Sequence, residues 1–175
     1  MGKENTKPSR LLAGQRTMLG RTMHDIRYDP VNDEFMVTNP FAQAILIYKG
    51  NADGDTPPVR IIQGSKTQLA GAVYSGLDRL EVDWVNNEIV VGIGEAILTF
   101  PRTANGDVAP LRVIKGPNAQ LRGVQTVVVD PVSNVYVAGG NYAGGSSGQM
   151  GVLGAGGGMA TYPRLGNGDV PPKTV

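Results

Sequence analysis

Apolar runs of 4–7 residues, rich in Val, Ile, Leu, Tyr and Phe, alternate along the chain with clusters of Gly, Pro, Asn and Asp. Short apolar runs bounded by turn formers predict strands. No window of about 11 residues or more carries the 3.6-residue period of an amphipathic helix. The predicted strands fall into four kinds. Strand a ends at Asp29, Asp83 and Asp130, and strand b follows a short turn and covers 34–37, 88–91 and 135–138. Strand c ends at Tyr48, Phe100 and Tyr162, and strand d begins at Arg10, Arg60 and Arg112.

The pattern is an internal repeat, which outranks any local motif as a guide to architecture. Residues 48–64 (YKGNADGDTPPVRIIQG) return as 100–116 (FPRTANGDVAPLRVIKG), and again as 162–175 (YPRLGNGDVPPKTV). Pro8-Ser9-Arg10-Leu11-Leu12-Ala13-Gly14 matches the second half of that segment. The equivalent arginines lie 50 and 52 residues apart, and the equivalent aromatics 52 and 62 apart. After a polar tail, 1–7, the chain therefore divides into repeats at about 10–59, 60–111 and 112–175. Four short strands per unit, repeated, predict β-propeller blades, with a solenoid as the other repeat architecture considered.

Asn105-Gly106-Asp107, Pro110-Leu111-Arg112-Val113-Ile114, Gly116, Leu121, Asp130 and Val135-Tyr136-Val137-Ala138 follow the order of the NHL-type repeat. Over residues 8–175 the chain resembles NHL-type propeller arrays of bacteria. The resemblance implies an all-β fold of three four-stranded blades and leaves function open, because such propellers bind proteins, RNA or glycans or act as enzymes. Closed propellers have about 4–8 blades. Three blades therefore predict half of a six-bladed ring, completed by a second chain as a homodimer. Residues 8–14 of each copy are expected to complete the other's last blade. A cut from a longer propeller is the alternative.

Composition narrows the chemistry. The 175 residues include no Cys and one His, which excludes a disulfide scaffold, a Cys-ligated zinc site and a multi-His metal centre within one chain. Charged residues are 18% and net charge is +1, a poor match to binding driven by nucleic-acid phosphates. No signal peptide is visible at the N-terminus, and no apolar stretch is long enough to span a bilayer as a helix. The expected chain is soluble, of unassigned location, without cofactor, and partnered by itself and by a protein or glycan ligand, with no nucleic acid or membrane.

The d–a and b–c loops of a propeller share one face, and they supply the candidate ligand-binding residues: His24, Asn39, Phe41, Tyr74, Glu95, Gln125, Asn141 and Tyr142. The third b–c loop departs from the repeat, with ten glycines within 139–158. It reads as a binding lid or as a tolerated flexible insertion. Asn51-Ala52-Asp53-Gly54-Asp55 has part of a calcium loop, but the distal Glu is missing and the dipeptides suit primed turns. Asp29, Asp83 and Asp130 suit Asx-type turns. The repeated arginines are expected on backbone or on a turn Asp. His24 beside Asp25 lacks a nucleophile, so no catalytic residue is assigned. Trp84 and Tyr74 could stack on a sugar. The reading is a non-catalytic binding scaffold. Its alternative is a lactonase-like or hydrolase-like enzyme with a central metal, for which strand a offers a single acid, Glu81, at its alternate positions.

Overall fold

The computed structural model describes residues 6–70, 77–140 and 158–174. Within them the chain is all-β apart from two single-turn 3-10 segments, Gln15–Thr17 and Ser65–Thr67. The first sheet holds β1 (Ile26–Asp29), β2 (Glu34–Asn39), β3 (Ala44–Lys49) and β4 (Arg60–Gln63) in sequence order. The second repeats it with β5 (Leu80–Asp83), β6 (Glu88–Ile93), β7 (Ala96–Pro101) and β8 (Arg112–Lys115). The third holds β9 (Val124–Asp130), β10 (Val135–Gly140) and β11 (Gly158–Pro163). All neighbours pair antiparallel, in matching register: Phe35 faces Tyr48, Ile89 faces Phe100 and Tyr136 faces Tyr162.

The turn between the first two strands of each sheet explains its composition. Asp29 Oδ1 accepts the N–H groups of Val31 and Asn32, Asp83 those of Val85 and Asn86, and Asp130 those of Val132 and Ser133. Each turn ends in a left-handed residue, Asp33 (φ 49°), Asn87 (56°) or Asn134 (55°). Asp and Asn tolerate that conformation better than most residues, so the turn is written in them.

Strand alternation distributes the core. Ile89, Val91, Leu98 and Phe100 of the second sheet join Met36, Ile45, Ile47 and Ile62 of the first. From the opposite side of the second sheet, Val90, Ile97 and Ile114 join Val127, Tyr136, Ala160 and Tyr162 of the third. Both faces of the second sheet are thus covered, and every residue of β6 is buried. A strand buried on both faces loses the polar half of its period-two pattern.

Sequence reasoning expected a fourth strand in every unit. In the third sheet Thr174 bridges Thr161, and the Lys173 N–H donates to Thr161 O at 2.7 Å. The equivalent bonds in the other sheets are Val59 N–H to Ile47 O (2.8 Å) and Leu111 N–H to Thr99 O (2.7 Å). The C-terminal segment thus begins the fourth strand of its own sheet. The N-terminal segment lies elsewhere, with Leu12 bridged to Gly54 of the first unit.

Candidate functional site

Neighbouring units are joined by two devices that recur along the chain. The first uses the Asn-Gly-Asp segment. Asp53, Asn105 and Asn167 accept the backbone N–H of Leu11, Ile61 and Val113, the last two in the fourth strand of the preceding sheet and the first in the N-terminal segment. Asp55, Asp107 and Asp169 reach the next turn, taking the N–H of Arg16, Lys66 and Asn118. Only the glycines there have positive φ, 61° at Gly54, 77° at Gly106 and 82° at Gly168. A type I′ turn needs positive φ at both central residues. The segment is therefore not a type I′ turn, and its polar side chain also serves as a cap for a neighbouring segment. The carboxylates that suggested a calcium loop are occupied by backbone donors.

The second device is ionic. Glu34, with its side chain 2% exposed, accepts Arg60 Nη2 at 2.6 Å and Nη1 at 3.1 Å, Lys49 Nζ at 2.8 Å and Arg102 Nη1 at 2.9 Å. Arg102 comes from the second unit, so the cluster clasps two sheets. Glu88 repeats it with Arg112 Nη2 at 2.6 Å and Arg164 Nη1 at 2.9 Å, the latter from the third unit. Asn87 and Asn134 orient the incoming guanidinium groups, at 3.1 Å from Arg102 Nε and 2.6 Å from Arg164 Nε. The Arg60 hydrogen bond, helped by Lys49 and opposed by burial, pulls the Glu34 carboxyl from 4.5 down to about 2. Of the two expected partners, the backbone one is present, with Arg60 Nη2 3.4 Å from Arg102 O and Arg112 Nε 3.2 Å from Arg164 O, and the turn aspartate is corrected to Glu34 and Glu88. Glu34 and Glu88 stand at the same offset in their repeats, and that was the overlooked signal.

The first sheet shows a face that the others do not. Ile26 is 63% exposed and Tyr28 54%, whereas their equivalents Leu80 and Val82 are 0% and 3% exposed. Ile26 lines an open hollow of about 500 Å³ with Leu12, Leu19, Met23, Phe35 and Val37, rimmed by His24 and Asp25. At the other end, Met159 of the third sheet is 71% exposed, whereas its equivalents Ile45 and Ile97 are 0% and 1% exposed. Apolar side chains thus stand exposed on the first sheet, and Met159 on the third, where the repeat covers their counterparts.

The register places the turn between the second and third strands at the same sheet edge as the start of the first strand. His24 lies there, but its Nδ1 meets Asp78 at 2.9 Å, while Asp25 pairs with Arg27 at 3.2 Å and accepts the Leu80 N–H. The neighbouring acid in the sequence is thus not the partner of the histidine. Phe41 (68% exposed) and Glu95 are exposed in the turns of that edge. Asn39 is buried, its amide holding Met18 O and the Ala42 N–H. Gln125 sits within β9 rather than in a loop, because the Val124 N–H donates to Gly94 O at 2.8 Å and extends the strand. Tyr74, Asn141, Tyr142 and the insertion at 141–157 lie outside the described residues.

The first strands place Arg27, Glu81 and Val128 at equivalent positions. Burial pushes the Glu81 carboxyl up, against the Val82 N–H that donates to it at 3.0 Å. Glu81 and the half-exposed Trp84 line a hollow of about 110 Å³ with Val82, Val129 and Pro131. Among the described residues no three His, Asp or Glu side chains are grouped to hold a metal ion, and no helix is long and apolar enough to cross a membrane. Comparison with known proteins finds no matching family model and no matching curated protein.

Proposed function

We propose that this chain is a non-catalytic β-propeller scaffold whose three sheets are blades, assembling with a second copy into a six-bladed ring. One observation carries the reading: apolar residues that the repeat buries at Leu80 and Val82 stand exposed as Ile26 and Tyr28. An apolar face of this kind on a soluble repeat array calls for a covering neighbour. Contact between the front of one copy and the rear of the other is heterologous, yet it closes by rotation. In this reading the N-terminal segment of each copy, which bridges its own Gly54 through Leu12, takes over the fourth strand of the other copy's last blade, displacing Lys173 and Thr174, which begin that strand in the single chain. The edge that carries His24, Phe41 and Glu95 is the proposed surface for a protein or glycan ligand. The NHL-type resemblance supports the blade reading through the residues that repeat.

The test is the mass of the chain in solution by light scattering over a wide concentration range. A species of about twice 18.4 kDa is expected. A monodisperse single copy at every concentration would overturn the ring, and a larger closed multiple of three blades would replace the six-bladed count.

A further inference from the structure

Each junction inside the chain is built from the same set of residues. The leading sheet supplies a glutamate at the start of its second strand, Glu34 or Glu88, and an arginine at the start of its fourth, Arg60 or Arg112. The following sheet supplies a second arginine, Arg102 or Arg164, held by the left-handed asparagine of its turn, Asn87 or Asn134. The two ends of the chain lack this set in a matched way. At the rear, Val135 stands where the glutamate belongs, and Thr174 holds the fourth-strand position that Arg10 of the second copy takes on assembly. At the front, Gly50 stands where the second arginine belongs and Asp33 where the asparagine belongs. Gly50 still makes the backbone bond of its counterparts, its N–H donating to Asp33 O at 2.7 Å, as Arg102 does to Asn87 O and Arg164 to Asn134 O.

The replacements complement one another chemically. Val135 is 8% exposed, so a carboxylate there would be buried without its arginines. The Asp33 carboxylate accepts the Tyr28 hydroxyl at 2.9 Å and fills the space that a Cβ at position 50 would take. The front face therefore lacks the second arginine of the clasp, and the cation it brings is Arg10, at the fourth-strand position of its N-terminal segment. Docked on a sheet of the Glu34 or Glu88 kind, it would leave that carboxylate short of one arginine. The third sheet of this chain, with Val135, is the one sheet of the three that demands no such arginine.

We infer that the front face docks on the rear face of a second copy, and that Gly50 and Val135 are the residues that set this pairing, by removing from the copy–copy junction the clasp that joins the sheets within a chain. The inference rests on the assembly reading above and names its contacting surfaces and their selectivity. An apolar junction between copies beside ionic junctions within a copy keeps the two kinds from exchanging, since each mismatch strands a buried charge.

The experiment measures assembly of the full chain by sedimentation at several concentrations, with circular dichroism confirming the fold of each variant. Val135→Glu alone, and Gly50→Arg with Asp33→Asn alone, should each weaken assembly about tenfold or more by leaving the clasp one partner short. An equimolar mixture of the two variants should assemble more tightly than either alone, because a mixed ring holds one clasped junction and one native junction. All three substitutions in one chain should recover assembly as well. If Val135→Glu does not fold, the mixture and the triple substitution are set aside and the Gly50/Asp33 variant alone decides: unchanged assembly overturns the inference, and weakened assembly supports it. Native-like assembly of both variants, or a mixture no tighter than its parts, overturns the pairing and leaves the ring standing. A native chain that never assembles overturns both.

Discussion

The first and second sheets are written in nearly the same residues, and they meet different surroundings. On its first strand the second sheet carries Leu80 and Val82, 0% and 3% exposed, and the first carries Ile26 and Tyr28, 63% and 54% exposed. The residues have not become polar where their cover is missing. What differs is the neighbour: the second sheet has one on each side, and the first has one on one side only. Exposure at the first sheet thus reflects its position in the array. Apolar content is set by the repeat.

Truncating the covered member of this pair should have the largest effect. Leu80→Ala opens a cavity between two packed sheets, and such deletions cost about 2–5 kcal/mol. Chemical denaturation should show the loss as a lower midpoint with an unchanged slope. A loss below about 1 kcal/mol would mean that the first two sheets are not closely packed there.

The ionic clasp comes next. Glu34→Gln leaves Arg60 and Arg102 facing a neutral group at the junction of the first two sheets. Breaking a fully buried pair costs about 3–5 kcal/mol, and a value near 2 is expected here because Lys49 is 53% exposed and can turn to water. The acid limb gives the same comparison without a change in volume. The Glu34 carboxyl is held at about 2, against its ordinary 4.5. A lowered native pKa contributes stability that is complete above pH about 4.5 and is lost as pH falls through about 2. Denaturation midpoints of the native chain should fall across that window, and those of Glu34→Gln should fall less. Equal acid sensitivity would remove Glu34 from the account.

A smaller loss is expected at Gly64. Its φ of 133° is a backbone conformation that side chains rarely adopt, and a Cβ would run into Asp107, whose carboxylate caps the Lys66 N–H. Gly64→Ala should cost about 1–3 kcal/mol. The equivalents Gly14 and Gly116 have φ 134° and 142° and meet Asp55 and Asp169 in the same way. Alanine at Gly14 should be the mildest of the three, since the segment that carries it has a neighbour on one side only. Thermal melts of the three alanine variants give the ranking.

Much of this was legible in the chain because it is local. Asp29, Asp83 and Asp130 use their carboxylates two and three residues on, so the turn chemistry could be read from adjacent letters. The apolar runs marked the strands for the same reason. The clasp was not legible in this way. Glu34 and Arg102 are 68 residues apart, and Glu88 and Arg164 are 76 apart; the contact exists only once two sheets are stacked. The Asn-Gly-Asp segment misled in a related manner. Its letters suit a tight turn, but Asn105 and Asp107 act on the preceding unit, 44 and 41 residues away. The same holds for the candidate ligand residues: Phe41 and Glu95 do stand exposed, while Asn39 is occupied in holding the Met18 and Ala42 backbone.

The smallest effect on stability is expected at Ile26, and it bears most directly on the comparison. With 63% of the residue exposed, Ile26→Ala removes little buried surface from a single copy. Surface changes of this kind usually stay within about 0.5 kcal/mol, so the denaturation midpoint measured on dilute chain should hardly move. If a second copy covers Ile26 as the first sheet covers Leu80, the same truncation deletes buried methyl groups from the contact between copies. Assembly should then weaken by about 1–2 kcal/mol, roughly tenfold in dissociation constant. The two readings separate in one pair of measurements, unfolding at low concentration and sedimentation at high. A variant that is stable and assembles as the native chain does would place the contact away from Ile26. A variant that loses several kcal/mol in the dilute chain would show that Ile26 is already buried within one copy, and the contrast with Leu80 would disappear.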